Sequence, residues 1–155
     1  MKTQKELNFD FYLPKMKVQT QNRAFDVLAE EVQSICGVQS SVLFDIFKVR
    51  LAQRSFGFGD GVAVFDVKSS AIKKPALVIA TFDHDVEFES LDDKPVDIMA
   101  AVISPLSDGP THLQKLAVVS RVLRCHDLRQ ALRDAKNEDE MQVLFMPSQD
   151  WMMAA

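Results

Sequence analysis

At 155 residues the chain is close to the commonest size of one domain. A chain of this length buries roughly 70% of its unfolded surface, so a core can form without a disulfide or a metal. A net charge of −4, a pI near 5.3 and the lack of any Lys/Arg run argue against nucleic acid as a partner.

Cys36 and Cys125 are far apart in sequence and match no metal-ligand spacing, so neither a zinc site nor a disulfide framework is expected. No cofactor is read from any motif. The opening MKTQKELNFDFYL has no apolar h-region, and no apolar run is long enough to span a bilayer. The expectation is a cytoplasmic protein without membrane insertion.

In chain order, Val18–Thr20 reads as a short extended piece, the first element of a core expected over about 18–146. Asn22 then offers an N-cap for a helix whose apolar side is Phe25, Leu28, Ala29, Val32, Ile35 and Cys36, with Gly37 as its stop. A second helix starts at Ser40 or Ser41, buries Leu43, Phe44, Phe47 and Leu51, and ends near Arg54. The glycine turn Gly57–Gly61 opens into the strand Val62–Val67. Ala76–Phe82 reads as a buried strand, with Val86–Phe88 as its hairpin partner around Asp83-His84-Asp85. Val96–Ser104 reads as another buried strand.

The remainder is helical. Thr111 and Gln114 suggest a capping box for a helix through Leu113, Leu116, Val119 and Leu123. Asp127 is read as the cap of a short helix. Asn137 with Glu140 caps the last one, which buries Met141, Leu144 and Phe145 and stops at Pro147. The tail from 147 holds the only Trp, and reads as a disordered end or as a segment that docks through Trp151. Two helices, buried strands and three helices give a layered α/β arrangement.

The oddity is Asp66, the one polar residue in Val62-Ala63-Val64-Phe65-Asp66-Val67. A carboxylate there is costly to bury unless a cation or hydrogen bond meets it. Either the strand surfaces at Asp66, or its carboxylate has a partner. The helix start at Thr111 and His112 offers free N–H groups and a positive dipole end, a ready anion site. By default, Arg50 and His112 are solvent-facing.

The stretch Arg50–Asp66 (RLAQRSFGFGDGVAVFD) resembles the enzyme IIA domains of the fructose–mannitol type of the bacterial phosphotransferase system, most of all their nitrogen-regulatory branch. Gly59-Asp60-Gly61-Val62-Ala63-Val64 is similar to that family's G-x-G-x-A-[IV]-P-H signature. Phe88-Glu89-Ser90-Leu91-Asp92, Lys94-Pro95-Val96-Asp97, Thr111-His112-Leu113 with Leu116, and the close through Leu128, Arg129, Leu132 and Asn137 follow its later segments in order.

The resemblance implies one domain, a mixed sheet flanked by helices on both faces. It implies a site in which a phosphocarrier protein phosphorylates the signature histidine, assisted by an Arg and a second histidine. Arg50 matches that Arg and His112 the second histidine, with Gly59, Gly61, Phe65 and Thr111 alongside. The P-H pair, however, is Phe65-Asp66 here, and Phe56 replaces a Thr.

Three readings follow. Asp66 imitates the phosphorylated state, and the chain regulates cytoplasmic proteins by contact, with an HPr-like carrier among its partners. Alternatively, Asp66 takes a phosphoryl group as an acyl phosphate, which usually needs magnesium and further carboxylates. In the third, Phe56, Phe58 and Phe65 form an exposed scaffold patch; the plainer account packs them under the glycine turn.

Overall fold

Helix α1 (Gln21–Cys36) starts two residues earlier than a cap at Asn22 implies, because Thr20, in extended backbone, accepts a hydrogen bond from Arg23 N at 3.1 Å. The cap is therefore Thr20 and not Asn22. Gly37 closes the helix in the left-handed region at φ 66°, its N–H bonded to Gln33 O. Helix α2 (Ser40–Gln53) packs into the same core as α1 through Leu43 and Phe47. The computed structural model describes residues 7–88 and 94–153.

The glycine segment is more ordered than a turn. Gly57–Gly59 is itself a strand, β2, paired antiparallel with β3 (Val62–Ser69). Asp60 and Gly61 link them with φ of 56° and 78°, the two positive values that a tight Asp-Gly hairpin needs. A side chain at Gly61 would be strained by that φ, and its Cβ would sit 2.7 Å from Asp97 Oδ1 and 2.8 Å from Arg133 Nη2. Gly61→Ala is therefore expected to lower stability by about 1–2 kcal/mol, measured as a shift in the urea midpoint. An unchanged midpoint would mean the hairpin relaxes freely.

Strand β4 (Ala76–Val86) runs straight through Asp83-His84-Asp85, where a turn was expected. Val86 instead pairs with Val96 on β5 (Val96–Pro105), so β4 and β5 are the hairpin. The polar triplet is exposed and falls where the β4/β5 register shifts between Thr81 and Val86. Glu89–Asp92, part of the family resemblance, lies outside the described residues.

A fifth strand, β1 (Phe11–Met16), precedes the core predicted from 18 and pairs parallel with β4. Pro14 hides it from a propensity reading, yet proline is tolerated on a sheet edge, which is where β1 lies. The sheet order is β1-β4-β5-β3-β2, with parallel β1/β4 and β3/β5 and antiparallel β4/β5 and β2/β3.

Period-2 alternation assigns the strand residues to two faces. Ala63, Phe65 and Val67 face α1 and α2, with Phe25, Leu28 and Phe47. Val62 and Val64 face the other way, toward α3 (Pro110–Val122), α4 (His126–Asp134) and α5 (Glu138–Val143). The result is a mixed α/β sandwich with helices on both faces of the sheet.

The later caps divide. Asn137 Oδ1 accepts from Glu140 N at 2.9 Å, as read. Helix α3 instead begins at Gly109-Pro110, where proline at the first helical position pre-sets φ, so Thr111 is an exposed first-turn residue and not a cap. Leu113 is also exposed, and Val118, Val119 and Val122 are buried in its place. Cys125, not Asp127, precedes α4. The tail forms a short turn, α6 (Asp150–Met153), that docks: Trp151 Nε1 donates to Leu144 O and Met152 is buried.

Cys36 is fully buried at the end of α1. Burial, reinforced by the negative charge of Asp10, pushes its thiol up from 9.0 to about 11. The folded chain thus holds this proton more tightly than the unfolded one, and this contribution to stability is lost as pH rises from about 9 through 11. At pH ~8, iodoacetamide should modify the half-exposed Cys125 well before Cys36, by peptide mapping. Equal rates would place Cys36 at the surface.

Candidate functional site

Strand β3 carries Asp66 on the same face as Val62 and Val64, opposite to Phe65. The residue is buried, at 7% exposure, so the strand does not surface there. Two cationic or donor groups meet it from different elements. His112, in the first turn of α3, places Nε2 at 2.9 Å from Asp66 Oδ2. Arg50, on α2, brings Nη2 to 3.4 Å from both carboxylate oxygens.

Arg50 reaches the site over the edge of β3. β2 pairs only with Val62 and Ala63, and further along Arg50 Nε donates to the main-chain carbonyl of Asp66 at 3.0 Å. The guanidinium is held on its other sides by Gln53 Oε1 at 3.0 Å and by the ring of Phe56, 5.4 Å from its centroid. Phe56 is therefore a shelf for Arg50. It also lies under Arg54, whose guanidinium carbon is 5.0 Å from the ring centroid.

Ser104 completes the cluster, and no motif in the sequence marked it. It is the next-to-last residue of β5, has no exposed surface, and places Oγ 2.8 Å from His112 Nδ1. Its signal was there: one hydroxyl at the end of an otherwise apolar run, two places beyond Val102, the register partner of Asp66. An ionised Asp66 only accepts hydrogen bonds, so Nε2 of His112 carries the proton toward it. Ser104 can donate to Nδ1 of a neutral ring or accept from a charged one.

The chain Ser104–His112–Asp66 has the connectivity of an acyl-transfer triad. Ser104 is nevertheless completely buried, out of reach of a substrate, and serves to orient the ring. Beside the carboxylate lies a cavity of about 190 Å³, bordered by Ser55, Gly57, Leu116 and Ser120 as well as Asp66. The centre can therefore hold a fixed anion, or shelter a negatively charged group presented to it.

Other residues expected in the site lie elsewhere. Phe65 is fully buried on the opposite face, its ring against Phe25, Phe47 and Phe56 at 4.7–5.4 Å between centroids. With Phe56 also buried, these two rings form no scaffold patch; they pack inside, and the Phe58 side chain lies outside the described residues. Gly59 and Gly61 belong to the hairpin, Gly61 against the Asp97–Arg133 pair. Thr111 points away as an exposed residue. Asp60, the nearest candidate for a second carboxylate, has its carboxylate 3.8 Å from Arg129.

The family model of the phosphoenolpyruvate-dependent sugar phosphotransferase system, EIIA 2, matches residues 8–146. This chain belongs to that family. A nitrogen regulatory protein of Bradyrhizobium diazoefficiens is 29% identical over 136 residues, 87% of this EIIA 2 chain and 89% of its own length. One from Escherichia coli K12 is 25% identical over 136 residues, 87% and 83% of the two chains. The fold of nitrogen regulatory protein IIA-Ntr from Neisseria meningitidis superposes with a TM-score of 0.78 at 20% identity, covering 88% of this chain and 92% of that one. Escherichia coli IIA mannitol gives 0.72 at 16% identity, covering 87% and 95%. Among the described residues of this EIIA 2 chain, no helix is long and apolar enough to cross a membrane.

Proposed function

We propose that this chain is a nitrogen-regulatory-type IIA protein in which Asp66 occupies the phosphoacceptor position and keeps the site in one permanently anionic form. It acts through protein contacts in the cytoplasm and not as a standard phosphocarrier. The observation that carries this reading is the engagement of one buried carboxylate by both His112 Nε2 and the Arg50 guanidinium.

The chemistry follows from that arrangement. Phosphohistidine transfer needs a ring nitrogen with a free electron pair facing the donor. At this position the chain presents a carboxylate, and the one imidazole in the cluster has its nitrogens directed to Asp66 and Ser104. A carboxylate supplies one charge where a phosphoryl group supplies nearly two and three acceptor oxygens. The imitation is thus electrostatic and partial: the carboxylate faces the Arg50 guanidinium and ties the start of α3 to β3 through His112.

Partners of this reading are cytoplasmic regulatory proteins, with an HPr-like carrier as a protein the surface meets without accepting its phosphate. The test is incubation of the wild-type chain with phosphoenolpyruvate, enzyme I and the carrier, read by intact mass. No phosphoryl gain is expected under conditions that label a nitrogen regulatory relative. A stable phosphoryl group on this chain would overturn the reading.

A further inference from the structure

Beyond the start of β3, at the hairpin end of the sheet, lies a cavity of about 350 Å³ in which Asp66 and His112 have no part. Helix α4 lines it with His126, Arg129 and Gln130, while Asp60, Asp85 and Lys94 border it from the hairpin and the β4/β5 side. His126, Gln130, Asp85 and Lys94 are exposed, so the opening is reachable from solvent.

Arg129 is the unusual member. It is only 8% exposed. Its Nη1 donates to the carbonyls of Leu123 and Arg124 at 3.1 and 2.7 Å, which satisfies the end of α3. Its Nε is buried with no hydrogen-bond partner. Its Nη2 stands 3.8 Å from Asp60 Oδ2, beyond hydrogen-bond reach, and the Asp60 side chain is 71% exposed. The Nε/Nη2 edge is the one that forks onto a carboxylate through two parallel bonds. Arg133, one turn along the same helix, shows that edge filled: its Nε and Nη2 reach Asp97 at 2.7 and 3.1 Å. A buried donor left unpaired is unfavourable and rare in folded proteins, so the Arg129 edge calls for an oxygen ligand.

The surrounding charges select among oxygen ligands. Asp60 and Asp85 would repel a dianionic phosphate, whereas Arg129, Lys94 and His126 alone would favour any anion. A ligand carrying one carboxylate and one ammonium meets both signs. We propose that this cavity binds a small amino-acid-like zwitterion, its carboxylate on Nε and Nη2 of Arg129 and its ammonium toward Asp85 and Asp60. Binding moves Asp60 off Nη2, and that side chain is exposed enough to leave. The site is independent of what Asp66 does.

The test is a chemical-shift titration of the full ¹⁵N-labelled chain with glycine, L-alanine, L-glutamate, acetate and inorganic phosphate. The expected result is saturable shifts of Gly61, His126 and Gln130 amides with at least one amino acid, and weaker ones with acetate and phosphate. Arg129→Lys keeps a cation but loses the fork and should weaken binding tenfold or more. Should that variant fail to fold, because Arg129 also ties down α3, the exposed Asp85→Asn change serves: it should weaken the amino acid several-fold and leave acetate unaffected. The proposal is overturned if no amino acid gives a saturable shift into the millimolar range. It is equally overturned if phosphate binds tighter than every amino acid, or if affinity is indifferent to both substitutions.

Discussion

Asp66→His is expected to make the chain a phosphoacceptor, labelled by a phosphorylated HPr-like carrier to near one group per molecule. The substitution puts an imidazole on the face of β3 that Asp66 now uses, beside an Arg50 anchored by the Asp66 main-chain carbonyl and by Gln53. Neither of those contacts depends on the carboxylate, so the guanidinium stays in place to receive phosphoryl oxygens. Ser104 continues to hold His112 through Nδ1. The cavity of about 190 Å³ beside Asp66 gives the larger ring and its phosphoryl group room to stand. Asp66→Asn is the control: it has no nucleophilic nitrogen and stays unlabelled. Adding Arg50→Ala to Asp66→His should slow labelling by roughly 10²–10³-fold, the usual loss on removing one preorganised oxyanion donor. Absence of label on a folded Asp66→His chain would mean that the cavity bordered by Phe56 and Leu116 does not admit the donor phosphoryl group.

Phe65→Ala should cost about 3–5 kcal/mol, the range for deleting a large aromatic ring from a packed core. The ring has no exposed surface and touches three others edge-on, Phe25, Phe47 and Phe56. Edge-to-face pairs add to the area term, and the rings around the gap belong to α1, α2 and the loop before β2, which cannot all collapse together. For a chain of this size the melting temperature should fall by roughly 6–20 °C. The result separates two roles for the residue beside Asp66. A loss below about 1 kcal/mol with weakened partner binding would place Phe65 on a docking surface; the predicted large loss places it in the core.

The same residue shows what the sequence could and could not reveal. Phe65 and Asp66 are adjacent in a motif, so a motif reading groups them in one site. Strand periodicity separates them onto opposite faces, and the structure obeys periodicity. Helices α1 and α2, the strands at Val62 and Val96, and the Asn137 cap were legible because local pattern and tertiary burial agree there. β1 was not, since Pro14 and Lys15 break its pattern and only pairing with β4 makes it a strand. The polar triplet in β4 imitates a turn because it lies, exposed, where the pairing with β5 shifts register inside a continuous strand. Within the site, Asp66 stands out as the one polar residue of an apolar strand, whereas Arg50 and His112, solvent-facing by default, take their roles from the family resemblance. Their meeting, and the part of Ser104, depend on β3 and β5 lying side by side in parallel register, which no local signal encodes.

The contact between the Asp66 carboxylate and the His112 ring, 2.9 Å long, ties the candidate site together. A long-range ¹H–¹⁵N spectrum of the histidine side chains tests it directly, comparing wild type with Asp66→Asn. The prediction is a His112 Nε2 that carries its proton, hydrogen-bonded in the wild type and clearly shifted in the variant, while His84 and His126 stay unchanged. A His112 spectrum indifferent to the substitution, or one with Nε2 unprotonated, would contradict the account.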